Sequence, residues 1–385
     1  MKDFSFIVPQ EIVFGVGSLK KLPDLLKKSG SKNVLLVSDR GLEKLGVVAK
    51  VTDVFKAAGI DFRTYLDVEA NPSVETVEAA TKEYKEQGAT SLVALGGGSP
   101  MDVAKAVGVI ATYGGKITEY EGAAKVPGKT VPLIAIPTTA GTGSETTAFA
   151  VITDRTRNYK LTVFSYEVMP NYALLDPDMI TSLPPHIAAS TGIDALVHAI
   201  ESYISVGATP FSDSMAEKAM ELIGKNIKLF VANRSNVEAA SAMLMGSTFA
   251  GIAFSWARLG NAHAMAHPLG GFFNVPHGVA NAVLLPTILE YNAMADNGRY
   301  EKIYNYIKHP GKRVCENFTP DVLVDEIKDL CASLGIPKTL TDVGVTNDPA
   351  KIHSMAEDAM KSGNILANPR QSTIKDIEAL YVKAL

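Results

Sequence analysis

Ser91–Lys105 reads SLVALGGGSPMDVAK. An apolar run through Leu95 meets three glycines, Gly96, Gly97 and Gly98, and an alanine- and valine-bearing helical pattern follows. This is the signature of a buried strand turning sharply into a helix. Ser99 is expected to cap that helix and Pro100 to occupy its first turn. Glycines at the turn let a pyrophosphate approach the backbone, where amides at the helix start donate to its oxygens. Asp102 has two readings, a contact to a ribose or nicotinamide-side polar group, or compensation of the helix N-terminus.

Two further segments repeat the pattern. VLLVSD (residues 34–39) is an apolar run closed by Asp39. VPLIAIPTTAGTGSE (residues 131–145) ends in small residues, with Thr138, Thr139 and Thr142 interleaved with Gly141 and Gly143. Helical periodicity between them, as in Val74 to Gln87, predicts parallel βαβ units with strands covered on both faces. Two glycine-bearing turns at strand C-termini favour one dinucleotide crevice over two unrelated turns. Asp39 either caps a helix or accepts hydrogen bonds from ribose hydroxyls. In the second role it would repel a 2′-phosphate and select NAD over NADP.

The pattern changes at Pro184–Pro185. Long helical stretches follow, among them Ile187 to Tyr203, Asp213 to Phe230 and Glu238 to Phe254, with few strand candidates. The expected organisation is a Rossmann-like α/β domain over residues 1–184 and an all-helical domain over 185–385. A polar loop is expected from Lys308 to Thr319. The helical half contains TGIDALVHAIES (residues 191–202) and GNAHAMAHPLGGFFNVPHGVANAVLLP (residues 260–286). Asp194 and His198 stand four apart, as do His263 and His267, so each pair shares a helix face. The second helix is expected to end at or just beyond Pro268. His277 follows a glycine-bearing loop. One carboxylate with imidazoles suits Fe(II), Zn(II) or a related ion. Each histidine alone reads more simply as a cap or core residue; the set of four points to a catalytic metal. His267 is a further candidate for orienting a ligand or moving a proton, and His186 reads as surface or cap.

Composition narrows the classes. The chain has 385 residues, 46% hydrophobic and 20% charged, with a formal net charge of −4. Nothing there draws it to nucleic acid or an anionic membrane. No apolar run is expected to span a bilayer, and the start does not read as a signal peptide. Two cysteines, Cys315 and Cys331, do not make a disulfide scaffold, so a cytoplasmic protein is expected.

Taken in order, GGGSPMD, IPTTAGTGSE, TGIDALVHAIESYIS and HAMAHPLGGFFNVPHGVANAVLLP resemble the iron-containing, or group III, alcohol dehydrogenase family along essentially the whole chain. The similarity runs toward short-chain alcohol dehydrogenases, lactaldehyde reductases and 1,3-propanediol dehydrogenases. It implies a dehydroquinate synthase-like fold and NAD-dependent interconversion of short-chain primary alcohols and aldehydes. It implies Asp194, His198, His263 and His277 as metal ligands, with Fe(II) the typical ion and Zn(II) an alternative. It implies Gly97, Gly98 and Ser99 at pyrophosphate, with Asp39, Thr138, Thr139, Thr142 and Lys160 lining the dinucleotide site. His267 would stand near the reacting carbon. Phe149, Phe254 and Asn364 would line the substrate pocket, and Phe149 replaces an asparagine of the lactaldehyde reductases. Relatives are homodimers or larger homo-oligomers. The contrasting class is a nucleotide-binding structural protein without catalysis.

Overall fold

Strand β2 (Asn33–Val37) shows why the first half folds as it does. Leu35 and Val37 join one core with Val77, Met101 and Val107. Val34 and Leu36 join another with Leu26, Val51 and Phe55. A strand whose successive side chains are all buried needs helices on both faces, which is why its sequence is continuously apolar. Each such side chain contributes about 1.5–3 kcal/mol. The computed structural model describes residues 7–8, 11–157, 159–309, 311 and 315–385. The chain divides into two compact units, Ile7–Leu183 and Pro184–Leu385.

The first unit contains β1 (Glu11–Phe14), β2, β3 (Asp61–Tyr65), β4 (Ser91–Gly96), β5 (Gly122–Ala123), β6 (Leu133–Pro137), β7 (Phe149–Asp154), β8 (Tyr159–Phe164) and β9 (Tyr172–Leu175). Its helices are α1 (Leu22–Lys28), α2 (Arg40–Lys44), α3 (Val47–Ala57), α4 (Val74–Gln87) and α5 (Gly98–Tyr113). Six strands form a parallel sheet in the order β1-β9-β6-β4-β2-β3. After β2 the chain crosses to β3, and after β4 it crosses the other way to β6. The switch point therefore lies between β2 and β4, flanked by Asp39 and the triple-glycine turn, where open α/β sheets bind ligands. Gly96 is in register with Pro137, so the glycine and threonine turns leave adjacent strands side by side.

A smaller sheet, β5-β8-β7, was not anticipated. Its β7–β8 pair is antiparallel, with Phe149 opposite Phe164. The strands alternate buried and half-buried positions, a weaker signal than the continuous apolar runs of the main sheet.

The second unit is helical throughout its described residues: α6 (Pro185–Ile204), α7 (Pro210–Ala232), α8 (Val237–Ala257), α9 (Asn261–Phe273), α10 (His277–Asn292), α11 (Arg299–Ile307), α12 (Pro320–Ser333), α13 (Pro349–Met360) and α14 (Ile374–Ala384). Together the two units make the expected fold class, a Rossmann-like parallel sheet followed by an all-α region. One expectation is corrected at α8, which is long and apolar enough to cross a membrane by length and composition. Its Ala240, Met243, Leu244, Ala250 and Ala253 are fully buried, so its apolar character is that of a core helix.

A second correction concerns Pro268, which does not end α9. The helix continues to Phe273 and stops at Asn274, whose φ of 54° is left-handed and whose N–H bonds Leu269 O. Proline's φ is helical, and the buried Leu269 beyond it anchors the continuation in the core, so tertiary packing carries the helix past the missing N–H. Between α11 and α12, the expected loop from Lys308 to Thr319 lies partly outside the described residues. So does most of the N-terminal segment in which no signal peptide is expected.

Candidate functional site

Helix α6 carries Asp194, His198 and Glu201 at spacings of four and three, one buried face of one helix. Helix α9 presents His263 and His267 from its first two turns, and His277 opens α10 directly after Pro276. Asp194, His263 and His277 each offer a ligand atom, and these atoms lie within 4.8 Å of one another. Asp194 Oδ1 is 3.7 Å from His263 Nε2 and 3.9 Å from His277 Nε2. His198 stands beside this group; its ring stacks on His263 at 4.5 Å and on Phe254 at 4.6 Å. His267 stacks on His277 at 5.3 Å. All five residues therefore gather in one place, with three ligand atoms converging.

The donor set fits a divalent ion. His263 Nε2 is buried and has no hydrogen-bond partner, which an imidazole lone pair aimed at a metal would explain. Burial opposes ionisation of Asp194, yet the facing imidazoles of His198, His277 and His263 hold its carboxyl far below the usual range. Burial would likewise lower His263, but Asp194 and Glu201 outweigh it and push the ring up to about 9. A site that so favours positive charge between these groups favours a cation there.

Glu201 was missed from the sequence. Its Oε2 accepts from His263 Nδ1 at 2.7 Å, while Oε1 accepts from the N–H of Ala262 at 2.7 Å. The His263 N–H adds a longer bond to Oε2 at 3.4 Å. Glu201 thus caps α9 and also fixes its first histidine so that Nε2 faces Asp194. The clue was its place seven residues after Asp194, on the same face. Asn281, one turn into α10, was also missed. Its Nδ2 donates to Asp194 Oδ1 at 2.8 Å and lies 3.2 Å from His277 Nε2.

In the first unit, α5 begins at Gly98 with Gly97 as its N-cap, so Ser99 is not the cap, while Pro100 falls in the first turn as expected, at the third position. The reason is Gly96, whose φ of 154° starts the turn one residue early; a Cβ there would meet Pro100 at 2.5 Å. A Cβ on Gly97 would lie 3.3 Å from Thr139 Oγ1, and one on Gly98 would lie 3.2 Å from Thr142. The glycine and threonine turns are thus in direct apposition. Asp39 caps α2, its Oδ1 accepting from the Leu42 N–H at 2.9 Å. Lys160 Nζ donates to Asn71 Oδ1 at 2.7 Å. Asn71, not singled out beforehand, has a left-handed φ of 57°, a strained conformation of the kind found at binding sites.

Asp102 is half-buried in the second turn of α5. Its Oδ1 accepts from Ser144 Oγ at 3.0 Å and its Oδ2 from the Val151 N–H at 3.1 Å, so both oxygens are engaged within the protein. Burial pushes its carboxyl group up. Lys105, one turn on, is fully buried, and burial lowers its ammonium to about 8. Phe149 opens β7 with its ring 4.8 Å from Phe164. Asn364 precedes the short turn Ile365–Ala367, where its N–H donates to Ser362 Oγ at 3.3 Å.

Comparison with known proteins agrees along the chain. Residues 9–177 match the family described as iron-containing alcohol dehydrogenase, and residues 188–385 match the C-terminal part of the Fe-containing alcohol dehydrogenase family. Alcohol dehydrogenase 4 of Schizosaccharomyces pombe is 38% identical over 381 residues, covering 99% of this chain and 89% of that protein. Lactaldehyde reductase of Escherichia coli K12 is 38% identical over 372 residues, covering 96% of each. Solved structures of a 1,3-propanediol oxidoreductase and of an alcohol dehydrogenase from Oenococcus oeni superpose with TM-scores of 0.95, each at 36% identity and covering 100% of both chains.

Proposed function

The chain belongs to the iron-containing alcohol dehydrogenase family, and from that premise we propose the roles and substrate preference of its site. The activity is NAD- and metal-dependent interconversion of alcohols and aldehydes. The observation that carries it is the convergence of Asp194, His263 and His277 within 4.8 Å, from three helices.

Asp194, His198, His263 and His277 would hold the ion, with iron(II) preferred and zinc acceptable to the same donors. Residues 1–184 would bind the dinucleotide, and 185–385 would carry the metal and substrate chemistry. Gly97, Gly98 and Ser99 would take the pyrophosphate at the start of α5, where amides without intrahelical partners point outward. Thr138, Thr139, Thr142 and Lys160 would line the rest of the dinucleotide site, with Asp102 on its ribose or nicotinamide side. Asp39 would accept from the adenosine ribose and disfavour a 2′-phosphate.

When bound, the ion supplies Lewis acidity toward a substrate oxygen and NAD supplies the hydride couple. Glu201 keeps the proton on His263 Nδ1, so Nε2 retains its lone pair. The Asp194 carboxylate stays ionised and balances part of the cation's charge. His267, 5.3 Å from the His277 ring, is the group proposed to move a proton between substrate and solvent. Phe254, stacked on His198, gives the metal side of the pocket an apolar wall. Phe149, in the first unit, would favour unsubstituted short aldehydes over hydroxy-aldehydes, though an apolar contact rejects an added hydroxyl only weakly.

The assignment is a short-chain primary alcohol dehydrogenase, with lactaldehyde or 1,3-propanediol chemistry as the second reading. Relatives of 36–38% identity bearing those names favour keeping it. Complete donors argue against a protein that has lost catalysis. A cytoplasmic homodimer or larger homo-oligomer fits, acting on a small molecule and not on nucleic acid or membrane. The test is an assay of acetaldehyde, propanal, butanal, lactaldehyde and 3-hydroxypropanal with NADH and NADPH. Faster turnover of unsubstituted aldehydes with NADH is expected; a dominant hydroxy-aldehyde rate would transfer the assignment to the second reading.

A further inference from the structure

Lys105 is an expensive residue for its place. It lies in the middle of α5, is 1% exposed, and carries an ammonium group into the protein interior. A helix packed on a sheet normally presents an aliphatic side chain at such a position. Here the ammonium has a full set of three acceptors: Ser144 Oγ at 2.9 Å, Thr147 Oγ1 at 3.0 Å and the Phe149 carbonyl at 2.8 Å. All three belong to the segment that runs from the end of the threonine turn into β7. Asp102 holds the same segment from the preceding turn of α5, through Ser144 Oγ and the Val151 N–H. Ser144 joins both charges, donating to the carboxylate and accepting from the ammonium.

These contacts link the two dinucleotide turns. Helix α5 begins at the glycine turn, and Ser144 follows two residues after Thr142, which already abuts Gly98. A shift of α5 along the 137–149 segment would open or close the gap between Gly98 and Thr142. The gap at Gly98 leaves almost no slack, since even a Cβ would stand 3.2 Å from Thr142. We propose that Lys105 is a positioning residue for the dinucleotide, its ammonium pinning α5 to the Ser144–Phe149 segment so that the glycine and threonine turns close on the cofactor together. It acts through these turns and touches neither dinucleotide nor substrate. This rests on the reading of the two turns as the dinucleotide site.

The experiment is NADH binding to the metal-loaded enzyme, followed by NADH fluorescence, for wild type, Lys105→Met, Ser144→Ala and Gly98→Val. Lys105→Met keeps an unbranched side chain one atom shorter and removes the charge. Loss of charged hydrogen bonds of this kind predicts that its Kd for NADH rises about tenfold or more, and that of Ser144→Ala about threefold. In turnover, KM for NADH should rise in step while kcat and KM for the aldehyde move little. Bound metal should stay at the wild-type level, because the metal donors lie in the other unit. A purely structural lysine would lower the melting temperature and leave the Kd of the folded protein unchanged; that result, in both Lys105→Met and Ser144→Ala, overturns the proposal. Gly98→Val separates the two readings. If it abolishes NADH binding while Lys105→Met binds normally, the clamp alone is wrong. If Gly98→Val also binds normally, the dinucleotide site is wrong and the clamp falls with it.

Discussion

Glu201 accepts from His263 Nδ1 at 2.7 Å and from the Ala262 N–H at the same distance, so one carboxylate caps a helix and orients a histidine on it. Removing the charge separates the two roles. Glu201→Gln keeps the shape and loses the charged acceptor. Partners of this kind are worth about 10–100-fold in metal affinity. Competition titration with a chelator should show weakening in that range. Wild-type affinity would mean His263 is held by other contacts.

Gly260 lies against the same carboxylate. A Cβ at this position would stand 2.9 Å from Glu201 Oε1 and 2.9 Å from Asn368 Oδ1. Both atoms are buried acceptors already in use, so neither moves freely. Gly260→Ala is expected to cost about 1–3 kcal/mol of stability and to weaken metal binding with it. Melting with and without metal reads both. A variant as stable as wild type would show that the α9 entrance is softer than its contacts imply.

Asp39 bears on the choice of dinucleotide. Its carboxylate caps α2 at the end of β2, beside the switch point. Asp39→Gly removes the negative charge and should raise the ratio of NADPH to NADH activity by about tenfold or more. Gly is tolerated at a cap, so the cost in stability should be a few tenths of a kcal/mol. An unchanged ratio would leave Asp39 as a helix cap alone.

Lys105 gives the first unit a pH signature. Its folded pKa is about 8 against an ordinary 10.5. Between those values the unfolded chain holds the proton and the folded chain does not, so this residue makes stability rise with pH there. Below the lower value both states are charged and the cost of burying the ammonium is fully present. The melting temperature of wild type relative to Lys105→Met should therefore increase from pH 7.5 to 9.5, by an amount equivalent to about 2 kcal/mol. A constant difference would mean that the ammonium remains protonated throughout.

Phe149 tests the substrate reading. Its ring packs against Phe164 at 4.8 Å, which restrains it. Phe149→Asn should shift relative kcat/KM from butanal toward lactaldehyde by about tenfold, the low end of what one pocket contact discriminates. No shift would place the determinant elsewhere.

What the sequence made legible was what repeats or converges along it. Continuous apolar runs followed by small residues or an acid marked β2, β4 and β6, since a doubly covered strand leaves no polar alternation. Asp194 and the histidines at helical spacing marked the residues that gather around the Asp194–His263–His277 group. Harder to read were groups whose role depends on partners distant in the chain. Glu201 looks like an ordinary helical glutamate until α9, sixty residues later, brings its N-terminus against it. Lys105 looks like a solvent-facing lysine until Ser144 and Thr147 surround it. The β7–β8 pair and the continuation of α9 past Pro268 share this cause: tertiary packing decided both, against weak or opposing local signals.

Asp194, His198, His263 and His277 are proposed to hold the catalytic ion. The decisive measurement is anaerobic metal analysis of wild type and His263→Ala after chelation and reloading with Fe(II). Wild type should bind about one ion per chain, with NADH-dependent aldehyde reduction restored in proportion, and the variant should bind little. Full loading of His263→Ala, or undiminished activity of metal-free wild type, would contradict it.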